Sequence, residues 1–254
     1  MNLRPETRGI LHRVEELTGT PVDVIEDAGQ PQLARITRAR AGSAVHALRV
    51  NPTLGDPDYL IVYQCGFILR LYETPPDERR EFAGAAQGRA EVERLVRRAG
   101  QTARLPEAAT AQLAQQLLDG ILTQLRSYPI GIRIDRWIHQ LFPGLDALQR
   151  IAVQRQQEEN RAALRPEVKR FAPKPIFDAN VSMNAAYAIF CDRLFGKAGY
   201  AVPYRSAGHE KRGRLLLDIL DSVPDEPVSD RTLVDTWAVE LRLSGWYEWI
   251  ALEP

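Results

Sequence analysis

"DYLIVYQCGFILRLYE", residues 58–73, is the stretch on which the fold turns. It is a mostly apolar run with one polar residue, Gln64, near its middle. Its length favours a helix, while its β-branched and aromatic content keeps a strand reading open. Pro75 and Pro76 end it. Upstream, "NPTLGDPD" (51–58) is a loop, with Pro52, Gly55 and Pro57 blocking regular structure. "QLARITRARAG" (32–42) and "SAVHALRVNP" (43–52) are two strand candidates joined by a short Ala-Gly-Ser link that suits a hairpin. "PVDVIED" (21–27) alternates like a strand. Residues 5–18 carry a 3.6-period stripe of Ile10, Leu11, Val14 and Leu17, stopped by Gly19. Downstream the chain reads as helices over 77–100, 106–127, 132–140, 144–163, 181–195, 208–221 and 230–243. "RPEVKRFAPKPIFDAN" (165–180) reads as an irregular crossing because of its three prolines. The fold class is therefore α+β: a small N-terminal β-hairpin or sheet packed on helices, followed by a mainly α-helical body. The expected division is residues 1–127 and 128–254, packed as one compact unit.

Lys plus Arg (33) equals Asp plus Glu (33), so no basic excess points to nucleic acid as the main partner. No apolar run reaches the ~20 residues that span a bilayer. The N-terminus, "MNLRPETRGILHRVEELTG", alternates charge with apolar residues and reads as an amphipathic helix, not a signal peptide. Cys65 and Cys191 sit in apolar segments outside any CxxC pair, which fits buried thiols in a reducing cytoplasm.

Within the opening stretch, Tyr63-Gln64-Cys65-Gly66-Phe67 occupies the positions of His-Glu-x-Gly-His. An HExxH helix places two histidines on one face to bind zinc, and its glutamate handles the proton of the metal-bound water. Phe67 cannot bind zinc, and Tyr63 is a poor ligand unless ionised. The Gln64 amide takes no proton at neutral pH. Two readings stand: a core helix with an i,i+4 aromatic pair, or the remnant of a zinc site.

The order of elements bears on the second reading. A helix, a hairpin ending in "HALRVNP", a short loop and "DY" precede the pentapeptide. In this it resembles the ImmA/IrrE-type zincin-like metallopeptidase domain, which reaches its zinc helix through a strand and an Asn-Pro-like loop. "SYPIGIRIDRWIHQLFPGLDALQRIAV" (127–153) is similar to segments that follow this domain, through Pro129, Asp135, Phe142–Pro143 and Gln149. The likeness covers residues 5–150 in element order and only these short stretches in identity. Of the motif itself only Gly66 is retained. The resemblance implies the family's fold without its activity.

Other candidates are weaker in pattern. "AGHEKRG" (207–213) begins like HExxH at His209–Glu210, but Gly213 stands at the second ligand position, and a helix start explains it. His46, on a strand, and Cys65 form a candidate nucleophile pair within a cleft. The basic runs 93–104 and 205–214 have acidic residues interleaved and read as solvated helix faces. Walker, GxGxxG and GxSxG patterns do not occur. The C-terminus collects Trp237, Trp246 and Trp249, and reads either as a last element docked on its own core or as a partner surface anchored by Arg242, Trp246, Tyr247 and Trp249.

The functional expectation is a catalytically inactive metallopeptidase-like protein in the cytoplasm, without cofactor or metal. It would bind another protein as a regulatory or scaffolding subunit, holding a segment in the former substrate groove by shape and edge-strand hydrogen bonds. Membrane binding is not expected, and nucleic acid enters only through a partner complex. The alternatives are a hydrolase built on Cys65/His46 or His209/Glu210, and a DNA-linked transcriptional or defence regulator.

Overall fold

The computed structural model describes residues 2–40, 42–100, 106–196 and 199–252. Their elements run in chain order α1 (Pro5–Thr18), β1 (Val22–Glu26), β2 (Ala34–Thr37), β3 (His46–Val50), α2 (Asp58–Glu73), β4 (Arg80–Gly84), α3 (Ala86–Gly100), α4 (Glu107–Leu141), α5 (Asp146–Arg161), α6 (Pro166–Phe171), α7 (Lys174–Phe195), α8 (Val202–Ser206), α9 (Glu210–Ser222), α10 (Asp230–Leu241) and β5 (Tyr247–Ala251). The class is mixed α+β, with sheets of three and two strands and a mainly helical body. Among the described residues, no helix is long and apolar enough to cross a membrane.

The described residues divide into two compact units. Unit 1 takes those within Met1–Arg80, Arg133–Gln154 and Ala251–Pro254, and unit 2 those within Glu81–Ile132 and Arg155–Ile250. The division expected at 127/128 gives way to an interleaved one, because a single helix, α4, runs across that position.

Unit 1 begins with α1. Pro5 opens it with its missing N–H at a position that needs none. Gly19 closes it at φ 67°, donating its N–H to the Glu15 carbonyl. The sheet order is β1-β3-β2: β3 runs parallel to β1 (Val22↔His46 to Glu26↔Val50) and antiparallel to β2 (Ala34↔Val50, Ile36↔Leu48). His46, Leu48 and Val50 share one face of β3 and are fully buried. The hairpin expected over 32–52 is thus present, although Ala41 of its link lies outside the described residues. The opening stretch is helix α2 throughout, packed against α1 and β2. Its buried face includes Ile61, Val62, Cys65, Ile68 and Leu69, a helical period that a strand could not present to one side.

Unit 2 is organised by α7, which is buried on nearly all sides from Ile176 to Cys191 and packs along α9. The prolines expected to keep 165–180 irregular instead start helices: Pro166 opens α6 and Pro175 lies in the first turn of α7. The break expected between 127 and 132 is absent, for α4 passes through Pro129. An interior proline costs a helix ~3 kcal/mol. Here burial of neighbours such as Leu125, Ile130 and Ile132 offsets it. The helix expected over 77–100 starts later, because 80–84 becomes β4 and pairs with β5.

Candidate functional site

Helix α2 turns Tyr63, Gln64 and Phe67 toward its half-buried side. The Tyr63 and Phe67 rings meet edge to face, centroids 5.5 Å apart and planes at 80°, and Tyr59 adds a third ring 5.9 Å from Tyr63. Tyr63 and Phe67, the positions read against the two histidines of HExxH, are therefore an aromatic pair one helical turn apart.

Gln64 is bonded at both ends of its amide. Ile36 N–H donates to its Oε1 at 2.5 Å, and its Nε2 donates to the Ala34 carbonyl. The Asn51 N–H donates to the Leu33 carbonyl, so in this antiparallel pair the odd residues of β2 face β3 and the even ones face outward. Ala34 C=O and Ile36 N–H are thus groups of the outer edge, and the Gln64 amide stands in for one residue of a further strand. The expected edge-strand hydrogen bonding to a partner segment is corrected here: between Ala34 and Ile36 the edge is already used by the protein's own side chain.

His46 and Cys65 are not joined. Ala39 N–H donates to His46 Nδ1 at 2.9 Å, which places the ring proton on Nε2, 3.0 Å from Thr18 Oγ1. Both ring nitrogens are in use. Burial first, then the Arg38 charge, hold the His46 pKa below its ordinary value against the opposing pull of Glu15. Burial pushes the Cys65 thiol up to about 12, the reverse of what a nucleophilic thiolate needs. His46 therefore ties α1 to the hairpin, and Cys65 fills core.

The residues that carried the likeness downstream have structural work. Tyr59 O–H donates to Asp135 Oδ1 at 2.6 Å, and Gln149 Nε2 donates to the Asp135 carbonyl (2.9 Å) and to Oδ1 (3.1 Å). Asp135 and Gln149 are fully buried, so this knot ties α2 to the C-terminal turns of α4 and to α5. Asn51, of the Asn-Pro loop, donates from Nδ2 to the carbonyls of Ala28 and Gln30 and accepts from Thr53 N–H. It thereby pins the loop between β1 and β2.

His209 precedes α9, its ring edge-on to Phe177 at 5.9 Å and its pKa lowered chiefly by burial. Glu210 accepts from Arg214 (2.7 Å) and Arg205 (2.9 Å), which hold its carboxyl below the usual carboxylate range. A carboxylate engaged by two guanidinium groups is a poor general base. Among the described residues, no three His, Cys, Asp or Glu side chains gather as metal ligands do. The end of the basic run 93–104 falls on residues 101–104, outside the described residues.

The C-terminal anchors divide. Trp246 lies in the core, its carbonyl accepting from Ala85 N–H and its main chain filling the space above Gly88. Tyr247 stacks on Phe82 at 4.5 Å, while Trp249 meets the same ring edge-on at 5.1 Å. Both donate to Asp235 Oδ1, at 2.6 and 2.8 Å. Arg242 caps α10 in the left-handed conformation at φ 61°. Trp246 is thus a core residue and not a surface anchor, whereas Tyr247 and Trp249 are half-buried against Phe82 and Asp235, and Arg242 is exposed. Period-two spacing of Tyr247 and Trp249 was the available signal for strand β5.

Sequence reasoning missed a polar seam in unit 2 made by Gln124 and Tyr128 of α4, Asn160 of α5, and Asn180 and Asn184 of α7. Its signal was amide and phenol side chains four apart, on faces otherwise apolar. Compared with protein-family models, curated proteins and solved structures, the chain matches none.

Proposed function

We propose that the chain is a catalytically inactive, metallopeptidase-like cytoplasmic protein that binds another protein, as a regulatory or scaffolding subunit. The observation that carries this reading is the Gln64 clamp. The side chain at the proton-handling position is bonded at both amide ends to the β2 backbone, and its neighbours at the ligand positions are an aromatic pair. The order of helix, three-stranded sheet, Asn-Pro loop and motif helix supports the resemblance on which the reading rests. No observation favours a hydrolase at Cys65/His46 or His209/Glu210, given the raised thiol pKa, the occupied imidazole and the paired carboxylate. Balanced charge leaves nucleic acid to a partner complex.

The test is metal analysis of the purified protein together with a peptidase assay on unfolded protein substrates. The expected result is sub-stoichiometric zinc and no cleavage sensitive to chelators. Stoichiometric zinc that disappears in His46→Ala or His209→Ala would overturn the inactive reading. Co-expression with the products of neighbouring genes tests the binding half: a complex of defined stoichiometry is expected, and a chain that stays alone with all of them refutes it.

A further inference from the structure

The sheet edges differ in what closes them. On β2 the Gln64 amide takes the outward Ala34 carbonyl and Ile36 N–H. On β1 the Val22 N–H, which points away from β3, donates to Glu15 Oε1 at 2.8 Å. β5 has no such closure. It pairs with β4 in a two-stranded sheet. Ala85 N–H donates to the Trp246 carbonyl at 2.9 Å and Leu252 N–H to the Arg79 carbonyl at 3.3 Å, so the strands are antiparallel and the even residues of β5 face β4. The backbone N–H and C=O groups of Tyr247 and Trp249 therefore point outward, and among the described residues these groups have no hydrogen-bond partner. Buried backbone groups are nearly always paired, so this row belongs to water. Glu248, Ile250 and Ala251 beside it are exposed, Ile250 at 43%.

An open edge accepts one more strand, and a sheet of two strands gains most from a third. The exposed side chains say which strand fits. Alternation puts Glu248 and Ile250 on the face opposite Tyr247 and Trp249, whose rings pack on Phe82 and whose polar atoms are held by Asp235. A strand laid antiparallel beside β5 sets one residue across from Glu248 and another across from Ile250. A cation answers the first and an apolar side chain the second. Neither strand of this sheet supplies that cation. β5 (YEWIA) has none, and in β4 (REFAG) Arg80 alternates in phase with Phe82, so in a second copy it would meet Tyr247 or Trp249 instead. Glu248 thus disfavours a second copy and favours a different chain. We propose that the outer edge of β5 takes up an extended segment of a partner protein as a third, antiparallel strand, with a lysine or arginine across from Glu248 and an apolar residue across from Ile250. The edge from Tyr247 to Ile250 lies in unit 2, so the proposal does not rest on the likeness of unit 1 to a metallopeptidase.

The probe is the acetylated and amidated peptide Thr-Val-Val-Lys-Thr, which sets Val across from Ile250 and Lys across from Glu248 when its middle residue pairs with Trp249. It is titrated into the ¹⁵N-labelled full chain while backbone amide exchange is followed. In the free chain the Trp249 N–H is expected to exchange fast and the Ile250 N–H, which faces β4, slowly. Saturating peptide is expected to slow Trp249 at least about tenfold. The peptide Thr-Val-Val-Glu-Thr is expected to bind at least about threefold more weakly. Glu248→Lys, at an exposed position, is expected to invert that preference. Ala251→Pro removes an outward N–H where an edge strand tolerates proline, and is expected to bind neither peptide. No saturable slowing at Trp249, equal affinity for the two peptides, an unchanged preference in Glu248→Lys, or full affinity in Ala251→Pro overturns the proposal. Slow exchange at Trp249 in the free chain overturns it too, and if that exchange quickens on dilution the edge belongs to a second copy.

Discussion

Gln64 shows why the clamp and the zinc-site chemistry exclude one another. An amide both accepts and donates, so it can satisfy Ile36 N–H and Ala34 C=O together. A glutamate could accept from Ile36 but would set a carboxylate oxygen against the Ala34 carbonyl. Gln64→Ala removes both bonds at a half-buried edge. The expected loss is about 1–3 kcal/mol, at 0.5–1.5 kcal/mol for each hydrogen bond, read by denaturant unfolding. Amide exchange locates it: Ile36 should lose protection, whereas Arg35, which faces β3, keeps it. Loss of protection at both residues would mean that Gln64 holds the whole strand and not its edge.

Among the elements, those with a local cause were legible. Helices α1, α2, α9 and α10 and the hairpin carry their period and their stops in neighbouring residues, so Gly19 and Pro75 could be read as ends. β4 could not: "REFAG" has no strand signal strong enough to outweigh the helical pattern after it, and it is a strand because β5, far along the chain, pairs with it. Pro129 misled for the converse reason, since its local cost is outweighed by the burial of the turns around it. Close approach of α7 and α9 rests on Gly213. A Cβ there would come within 2.9 Å of the Ala185 carbonyl carbon and Cβ and of the Ala186 nitrogen, mostly backbone that cannot turn aside. Gly213→Ala gains up to about 1 kcal/mol of helix propensity against an overpacking penalty of about 1–3 kcal/mol. The expected result is a lower melting temperature with unchanged far-UV circular dichroism. A variant as stable as the wild type would show that the two helices can part at little cost.

On the scale of the whole molecule, each compact unit is made of separate stretches of chain. Residues 133–154 belong with residues 1–80, where Ile134, Ile138, Leu145 and Val153 are buried and Asp135 holds Tyr59. Gly66 sits so close to Ile134 that a Cβ would approach its Cγ2 to 2.7 Å. A fragment ending at residue 127 omits that part of the core and leaves the Tyr59 hydroxyl without Asp135. Such a fragment is expected to lack a cooperative unfolding transition, as followed by near-UV circular dichroism and urea. Cooperative unfolding of 1–127 would show that α1, the sheet and α2 are stable alone.

The order of residues determined the periodic helices, the hairpin and the chemical incapacity of Tyr63, Gln64 and Phe67 as a zinc site, since these follow from side-chain type and near neighbours. Tertiary structure decided what those residues do instead. Contacts between residues distant in the chain made Gln64 a clamp on β2, closed both nitrogens of His46, drew Trp246 into a core, and joined five amide and phenol side chains from three helices in one polar seam. Each depends on where two or more helices and strands meet in space, which side-chain spacing along a single segment cannot specify.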